Sequence, residues 1–215
     1  MERCSCCSRQ FDRKEMVKSE INSGLYCRFC KALLEPAKLY CRSQVLSKPC
    51  PVPAEGGLCA WYFKEIPCNT PTDGCVVKDG ITLLYVGISG NLRERVKHCF
   101  GKNNAEGSTL RRSLGVLLTK KSGYPLRRVG SGKSMTFTPL GESWLNDWME
   151  QNAFVCWMTH ANPPEIKAKL INHVSPPLNI EGNNNTFSKR LNKMRKEAIR
   201  MARKMPIFNE SNVMD

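Results

Sequence analysis

The apolar positions give the first outline of the chain. Leu58 to Phe63 and Ile81 to Val86 are short apolar runs of strand length, the second rich in β-branched and aromatic side chains. Ala153 to Met158 predicts a third strand. Between the first two runs, Pro67 to Gly80 carries Pro, Asn, Asp and Gly throughout and reads as a loop. After the turn Gly87-Ile88-Ser89-Gly90 the period changes. Asn91 to Phe100 puts Leu92, Val96 and Cys99 on one helical face, with Gly101 as the stop. Ser108 caps a second predicted helix with the stripe Leu110, Leu114 and Leu117, and Trp144 to Met149 suggests a short third one. Asn162 and Pro163 start a fourth, which carries Ile166, Leu170 and Val174 inward and ends at Pro176-Pro177. Residues 181–185 form a loop. From Phe187 to about Met205, the residues Phe187, Leu191, Met194, Ala198, Met201 and Met205 recur at spacings of four and three, which predicts an amphipathic helix.

Cysteine spacing adds a second unit. Cys4-x-x-Cys7 and Cys27-x-x-Cys30 follow the C-x2-C, 15–20 residue gap, C-x2-C pattern of a structural zinc site. Each two-residue gap lets both thiolates reach one ion at about 2.3 Å, and two such knuckles complete a tetrahedron. A segment of roughly 40 residues buries too little to fold alone, so the metal supplies the missing stability. The second pair lies where a helix starts, which suggests a treble-clef or ribbon module; all positions are taken, so the ion is structural. Cys6 could replace Cys4 or Cys7. Cys68 and Cys75 are either a clip in the long loop or two thiols. The expected division is a zinc module at 1–45, a Pro/Gly-rich linker at 46–56, a mixed α/β domain at 57–182, and a basic helix and tail at 183–215.

Charge then narrows the partners. The net charge is +14; four thiolates and one Zn²⁺ would leave about +12. Nucleic acid is the first expectation. An anionic membrane surface fits less well, because the basic residues lack Trp or Phe anchors, and no run of about 18 apolar residues spans a bilayer. The start, MERCSCCSRQF, has no apolar signal core. An intracellular protein, nuclear or cytoplasmic, is expected, and 12 cysteines in a reducing compartment favour metal over disulfides. Arg111 and Arg112 lie near the presumed site, with Lys120, Lys121, Arg127 and Arg128. The last helix adds Lys189, Arg190, Lys193, Arg195, Lys196 and Arg200 as candidate phosphate contacts. Such contacts give affinity without sequence readout.

One block is more specific. Tyr85-Val86-Gly87, followed by Ile-Ser-Gly-Asn-Leu-Arg-Glu-Arg-Val-Lys-His98, resembles the GIY-YIG nuclease superfamily. Gly57-Leu58-Cys59 stands where its first motif falls. Pro164-Glu165 through Pro176-Pro177-Leu178-Asn179 looks like its Glu helix and final Asn. The resemblance covers about residues 56–182. It implies an α/β (α+β) fold with a three-stranded antiparallel sheet flanked by helices, and phosphodiester hydrolysis assisted by one Mg²⁺ or Mn²⁺. Carried over, Tyr85 would hold or help deprotonate the attacking water, and Arg95 would stabilise the phosphoryl transition state. His98 would accept a proton or touch phosphate, Glu165 would bind the metal, and Asn179 would brace the site. DNA is the implied substrate, branched or single-stranded forms included; RNA stays open.

The chain departs from this pattern at the first tyrosine, which is Cys59. Tyr62 is three residues on and, by strand alternation, on the opposite face. The alternatives are therefore a catalytically impaired nucleic-acid-binding module, or an adaptor whose zinc module binds protein. Plainer readings also exist for single residues. Tyr85 could be an ordinary strand aromatic. Glu165 could serve the helix dipole and pair with Lys169. His160 and His173 match no motif and read as structural or surface residues.

Overall fold

Cysteine-rich and apolar segments fold on each other. The computed structural model describes residues 1–20, 24–101 and 104–209; the end of the predicted tail, 210–215, lies outside them. β1 (Glu2–Arg3) and β2 (Gln10–Phe11) pair around the first cysteine knuckle. β3 (Met16–Lys18) and β4 (Leu25–Cys27) form a hairpin that runs into α1 (Arg28–Leu34). Cys27 ends the strand and caps α1, so Cys30 falls in the first helical turn. A hairpin entering a helix at the second knuckle is the treble-clef form of the expected module. α2 (Arg42–Leu46) follows.

Residues 46–56 are packed rather than slack. Val45 and Val52 are fully buried against the main core, with Leu46 and Cys50 beside them. The first helical N–H groups of α3 (Leu92–Cys99) have no partner within their own helix. Leu92 N donates to Glu55 O at 2.8 Å and Arg93 N to Pro53 O at 3.0 Å. The proline-rich strap thus caps a helix.

β5 (Gly57–Phe63) is buried at every position, as befits a central strand. β6 (Val77–Lys78) and β7 (Ile81–Ser89) follow, and after α3 come α4 (Thr109–Ser122), β8 (Arg127–Val129) and β9 (Ser134–Thr136). α5 (Pro139–Asn152), β10 (Ala153–Thr159), α6 (Pro163–Val174) and α7 (Thr186–Lys204) complete the order. The main sheet is antiparallel in the order β10-β5-β7-β6. The three expected strands are present. The fourth, β6, lies in the stretch expected as loop: Asp79 and Gly80, at φ 51° and 75°, form the two-residue turn that pairs Lys78 with Ile81. Gly57 is required where β5 meets β10, because a Cβ there would strike Met158 O.

Alternation along β5 divides the core. Cys59, Trp61 and Phe63 face α3, α4, α5 and α7 together with Tyr85. Leu58, Ala60 and Tyr62 face the zinc module and the α6 residues Ile166, Leu170 and Val174. The register against β7 shifts between Trp61 (opposite Tyr85) and Tyr62 (opposite Leu83). That bulge leaves Leu84 O free to accept Leu178 N at 2.9 Å. It does not carry Tyr62 across to the Cys59 face.

Two helices differ from expectation. α5 starts five residues before the predicted Trp144, because Thr138 accepts Gly141 N at 3.3 Å and Pro139 fits the first helical position. On α7, Ala202 rather than Met201 closes the buried stripe; Met201 is 45% exposed. No helix among the described residues is long and apolar enough to cross a membrane.

Candidate functional site: zinc centre and Tyr85 cluster

The Sγ atoms of Cys4, Cys7, Cys27 and Cys30 all lie within 4.8 Å of one another, and all four residues are buried. A tetrahedron with bonds of about 2.3 Å has sulfur–sulfur edges of about 3.8 Å; Cys7 and Cys27 are 3.7 Å apart. The set fits Zn²⁺. Cys6 is buried nearby but outside it. Hydrogen bonding from Cys27, then Cys30, lowers the Cys7 thiol to about 7, and Cys27, then Cys30 and Cys7, pull Cys4 well below the ordinary thiol value.

The module is clasped to the α/β body. Tyr62 Oη donates to Leu33 O at 2.7 Å. Tyr26 Oη lies 3.1 Å from His173 Nε2. Phe29 meets the His160 ring edge-on at 5.1 Å, and Arg9 Nη1 lies 3.5 Å from His160 Nε2. His160 and His173, which match no motif, therefore hold the knuckles at both ends of α6. Nothing in the periodicity marks them for this.

On the opposite face, Tyr85, Cys59, Gly87 and Arg95 come together. A Cβ on Gly87 would sit 3.1 Å from Cys59 Sγ and 3.2 Å from Tyr85 Cε1, so glycine lets both side chains lie against the backbone. Trp61 Nε1 donates to Cys59 Sγ at 3.4 Å. Burial, then Cys99, pushes the Cys59 thiol up to about 12. Burial likewise lifts the Tyr85 phenol to about 12, while the Arg95 guanidinium, within hydrogen-bonding reach, pulls it back. α3 places Arg95 one turn after its cap Asn91, and Arg95 Nη1 donates to Gly107 O at 3.1 Å.

Asn179 braces this strand: its Nδ2 donates to Val86 O and its Oδ1 accepts Val86 N, both at 2.8 Å. His98 Nε2 lies 3.0 Å from both Asn104 O and Glu106 O. Carbonyls only accept, so this nitrogen carries the proton and ties α3 to the next loop.

Glu165 is not brought to this group. Ile166 and Leu170 turn toward the sheet, which projects Glu165 outward. Its Oε1 takes Lys169 Nζ at 2.8 Å and its Oε2 takes Asn162 Nδ2 at 3.4 Å. Lys169, then Arg9 and His160, hold its carboxyl below the usual range. It stands at the zinc-module end of α6. A hard divalent cation needs oxygen ligands, and Glu165 brings none to Tyr85. The residues gathered there do not fit a Mg²⁺ or Mn²⁺ held by Glu165.

The basic candidates divide in three. Arg111 is fully buried, with Nη2 2.5 Å from Glu142 Oε2 and Nη1 donating to Cys99 O at 3.2 Å; it is a core ion pair, not a phosphate contact, because the whole guanidinium lies inside. Lys189, Arg190, Lys193 and Lys196 are exposed on α7, and Arg200 there pairs with Glu197. Arg112 on α4 and Arg195 on α7 are half-buried.

Among known families, the GIY-YIG catalytic domain model matches residues 57–198. No curated protein and no solved structure matches the chain. The matched stretch runs from the central strand β5, through Tyr85, Arg95 and Asn179, into α7, about two thirds of the sequence. This chain belongs to the GIY-YIG family.

Proposed function

We propose that the chain is a nuclease that hydrolyses phosphodiester bonds in DNA, engaging the scissile phosphate at Tyr85 and Arg95. The supporting observation is the Tyr85 phenol against the Arg95 guanidinium inside a GIY-YIG domain. A phenol raised to about 12 is protonated at neutral pH. It donates a hydrogen bond and orients the phosphate or the attacking water rather than removing a proton outright. Arg95 places fixed positive charge where the phosphoryl oxygens gain negative charge. Asn179 holds β7, and so Tyr85, in register. His98 fixes the loop that receives Arg95. Nucleases of this family use divalent metals; Glu165, the ligand the sequence pattern suggests, stands apart, so this chain's own steps are binding and orientation. Zn²⁺ at the four cysteines is structural.

A second reading, phosphate binding without cleavage, is favoured by Cys59, which offers no phenol, and by the outward Glu165. The deciding experiment incubates supercoiled plasmid with Mg²⁺ and the wild type, Tyr85→Phe or Glu165→Gln protein, with an EDTA control and a parallel RNA substrate. Nicking by wild type and Glu165→Gln, lost with EDTA and reduced about 100-fold in Tyr85→Phe, is expected. DNA retention with no nicking by any protein would establish the second reading. Nicking lost in Glu165→Gln would show that α6 turns Glu165 into the site.

A further inference from the structure

β10 is an edge strand, because the sheet runs β10-β5-β7-β6. Val155 exchanges both backbone hydrogen bonds with Tyr40, each at 2.9 Å, so its N–H and C=O point away from β5. Backbone direction repeats every second residue of an antiparallel strand. The N–H and C=O of Trp157 therefore point to the same open side. Among the described residues no backbone group outside the sheet pairs with them. An edge left in this way is a template for a further strand.

Beside that edge, α1 and the chain that follows it bound a groove of about 490 Å³. Val17, Ala32, Pro36, Cys156 and Trp157 give it apolar walls, and Val17 is exposed. Its charges are unbalanced: Arg28, Lys31 and Lys38 line it with a single carboxylate, Glu35. Glu35 accepts from Ser19 Oγ at 2.5 Å and from Glu20 N at 2.9 Å. Lys31 is held by Glu35 at 3.3 Å and by Glu20 at 3.1 Å. Arg28 and Lys38 stay exposed and, among the described residues, have no carboxylate partner. Lys38 Nζ sits 4.5 Å from the centre of the Tyr40 ring, which places its ammonium at the groove. The Tyr40 ring also packs on Trp157 at 4.5 Å. That ring is already engaged, so a stacked nucleic-acid base fits less well than a chain with its own backbone donors and acceptors.

We propose that this groove receives an extended acidic segment of a partner protein, which pairs with the open backbone of Trp157 and sets its carboxylates against Arg28 and Lys38. Main-chain bonds to an exposed sheet edge supply affinity, and the pockets beside it select side chains. Alternation in the added strand sends every second side chain into the apolar groove. The surface lies at the far edge of the sheet, two strands from β7 and Tyr85. It does not depend on the nuclease reading.

The test pans a displayed library of short random peptides on the full zinc-loaded chain, then measures the strongest recovered peptide, made synthetically, by fluorescence polarisation. The recovered peptides should alternate apolar residues with Asp or Glu. Binding should weaken about tenfold or more in an Arg28→Glu, Lys38→Glu double variant. It should weaken as much in Ala32→Arg, which fills the groove but keeps its charge positive. Unchanged thermal midpoints check that these surface variants fold, and plasmid nicking should match wild type in both. Methylating alternate backbone nitrogens of the peptide keeps its side chains and removes its strand donors; this should abolish binding to the unaltered protein. Recovery of no acidic peptide, or binding that survives both Ala32→Arg and backbone methylation, would overturn the proposal. A single-stranded oligothymidine bound by wild type and lost in Ala32→Arg, with no peptide recovered, would overturn it too and assign the groove to nucleic acid.

Discussion

A phenol at position 59 would need space that other side chains already fill. Trp61 Nε1 is 3.4 Å from the Cys59 sulfur, and Gly87 leaves no slack behind it. Cys59→Tyr is therefore expected to destabilise by about 1–3 kcal/mol, the usual cost of overpacking a core, and to leave nuclease activity no higher. Urea unfolding of the two proteins checks the first part; a neutral or stabilising substitution would reveal an unfilled cavity at the first motif. The same burial makes stability fall at alkaline pH. Cys59 and Tyr85 ionise at 9.0 and 10.0 ordinarily but at about 12 when folded. The folded state keeps protons that the unfolded state releases. Stability is thus full below pH 9 and declines as pH rises toward about 12, and denaturation midpoints measured from pH 8 upward should fall. A Cys59→Ala, Tyr85→Phe double variant should flatten that decline.

At the scale of elements, α7 binds through few residues. Leu191 is fully buried and Met201 is 45% exposed. Leu191→Ala is expected to cost about 2–5 kcal/mol, whereas Met201→Ala should fall within about 0.5 kcal/mol of wild type. Equal effects in chemical denaturation would mean that the helix docks on a different face. Much of this architecture was legible. β5, β7 and β10 are apolar runs, and Asn91, Ser108 and Asn162-Pro163 mark real helix starts. The misses have local causes. Val77-Lys78 is too short to show alternation, although Asp79-Gly80 was a hairpin signal inside an apparent loop. Thr138-Pro139 announced the start of α5 ahead of its aromatic residues. Tyr85 lies on β7, Arg95 on the helix that follows it, and Asn179 bonds the backbone of Val86 next to Tyr85. The fate of Arg111 was not legible, because it depends on Glu142 from a distant element; the pairing of Glu165 with Lys169 is the plainer reading that its i,i+4 spacing offered.

For the whole molecule, the cysteine module shares its core with one face of the central sheet. Tyr62 on the central strand donates to carbonyls at the end of α1, and the four cysteines share one apolar cluster with Leu58, Ala60 and α6. Chelating the zinc should therefore lower a single thermal transition of the entire chain by at least about 10 °C. A structural zinc contributes on the order of 10 kcal/mol to its module, and each 1 kcal/mol moves the midpoint by about 2–4 °C at this size. Calorimetry resolving two transitions, with the larger unmoved by chelation, would show the module to be an appendage.

The clasp between Tyr26 and His173 joins residues 147 apart in sequence. On a ribosome adding roughly 5–20 residues per second, the knuckles are made about 7–30 s before their dock on α6 exists. During that interval the face destined for Tyr62 and α6 is uncovered. Zinc capture by the nascent chain would let the module wait as a folded piece, and a cell starved of zinc should then accumulate this chain misassembled at its first, not its last, segment.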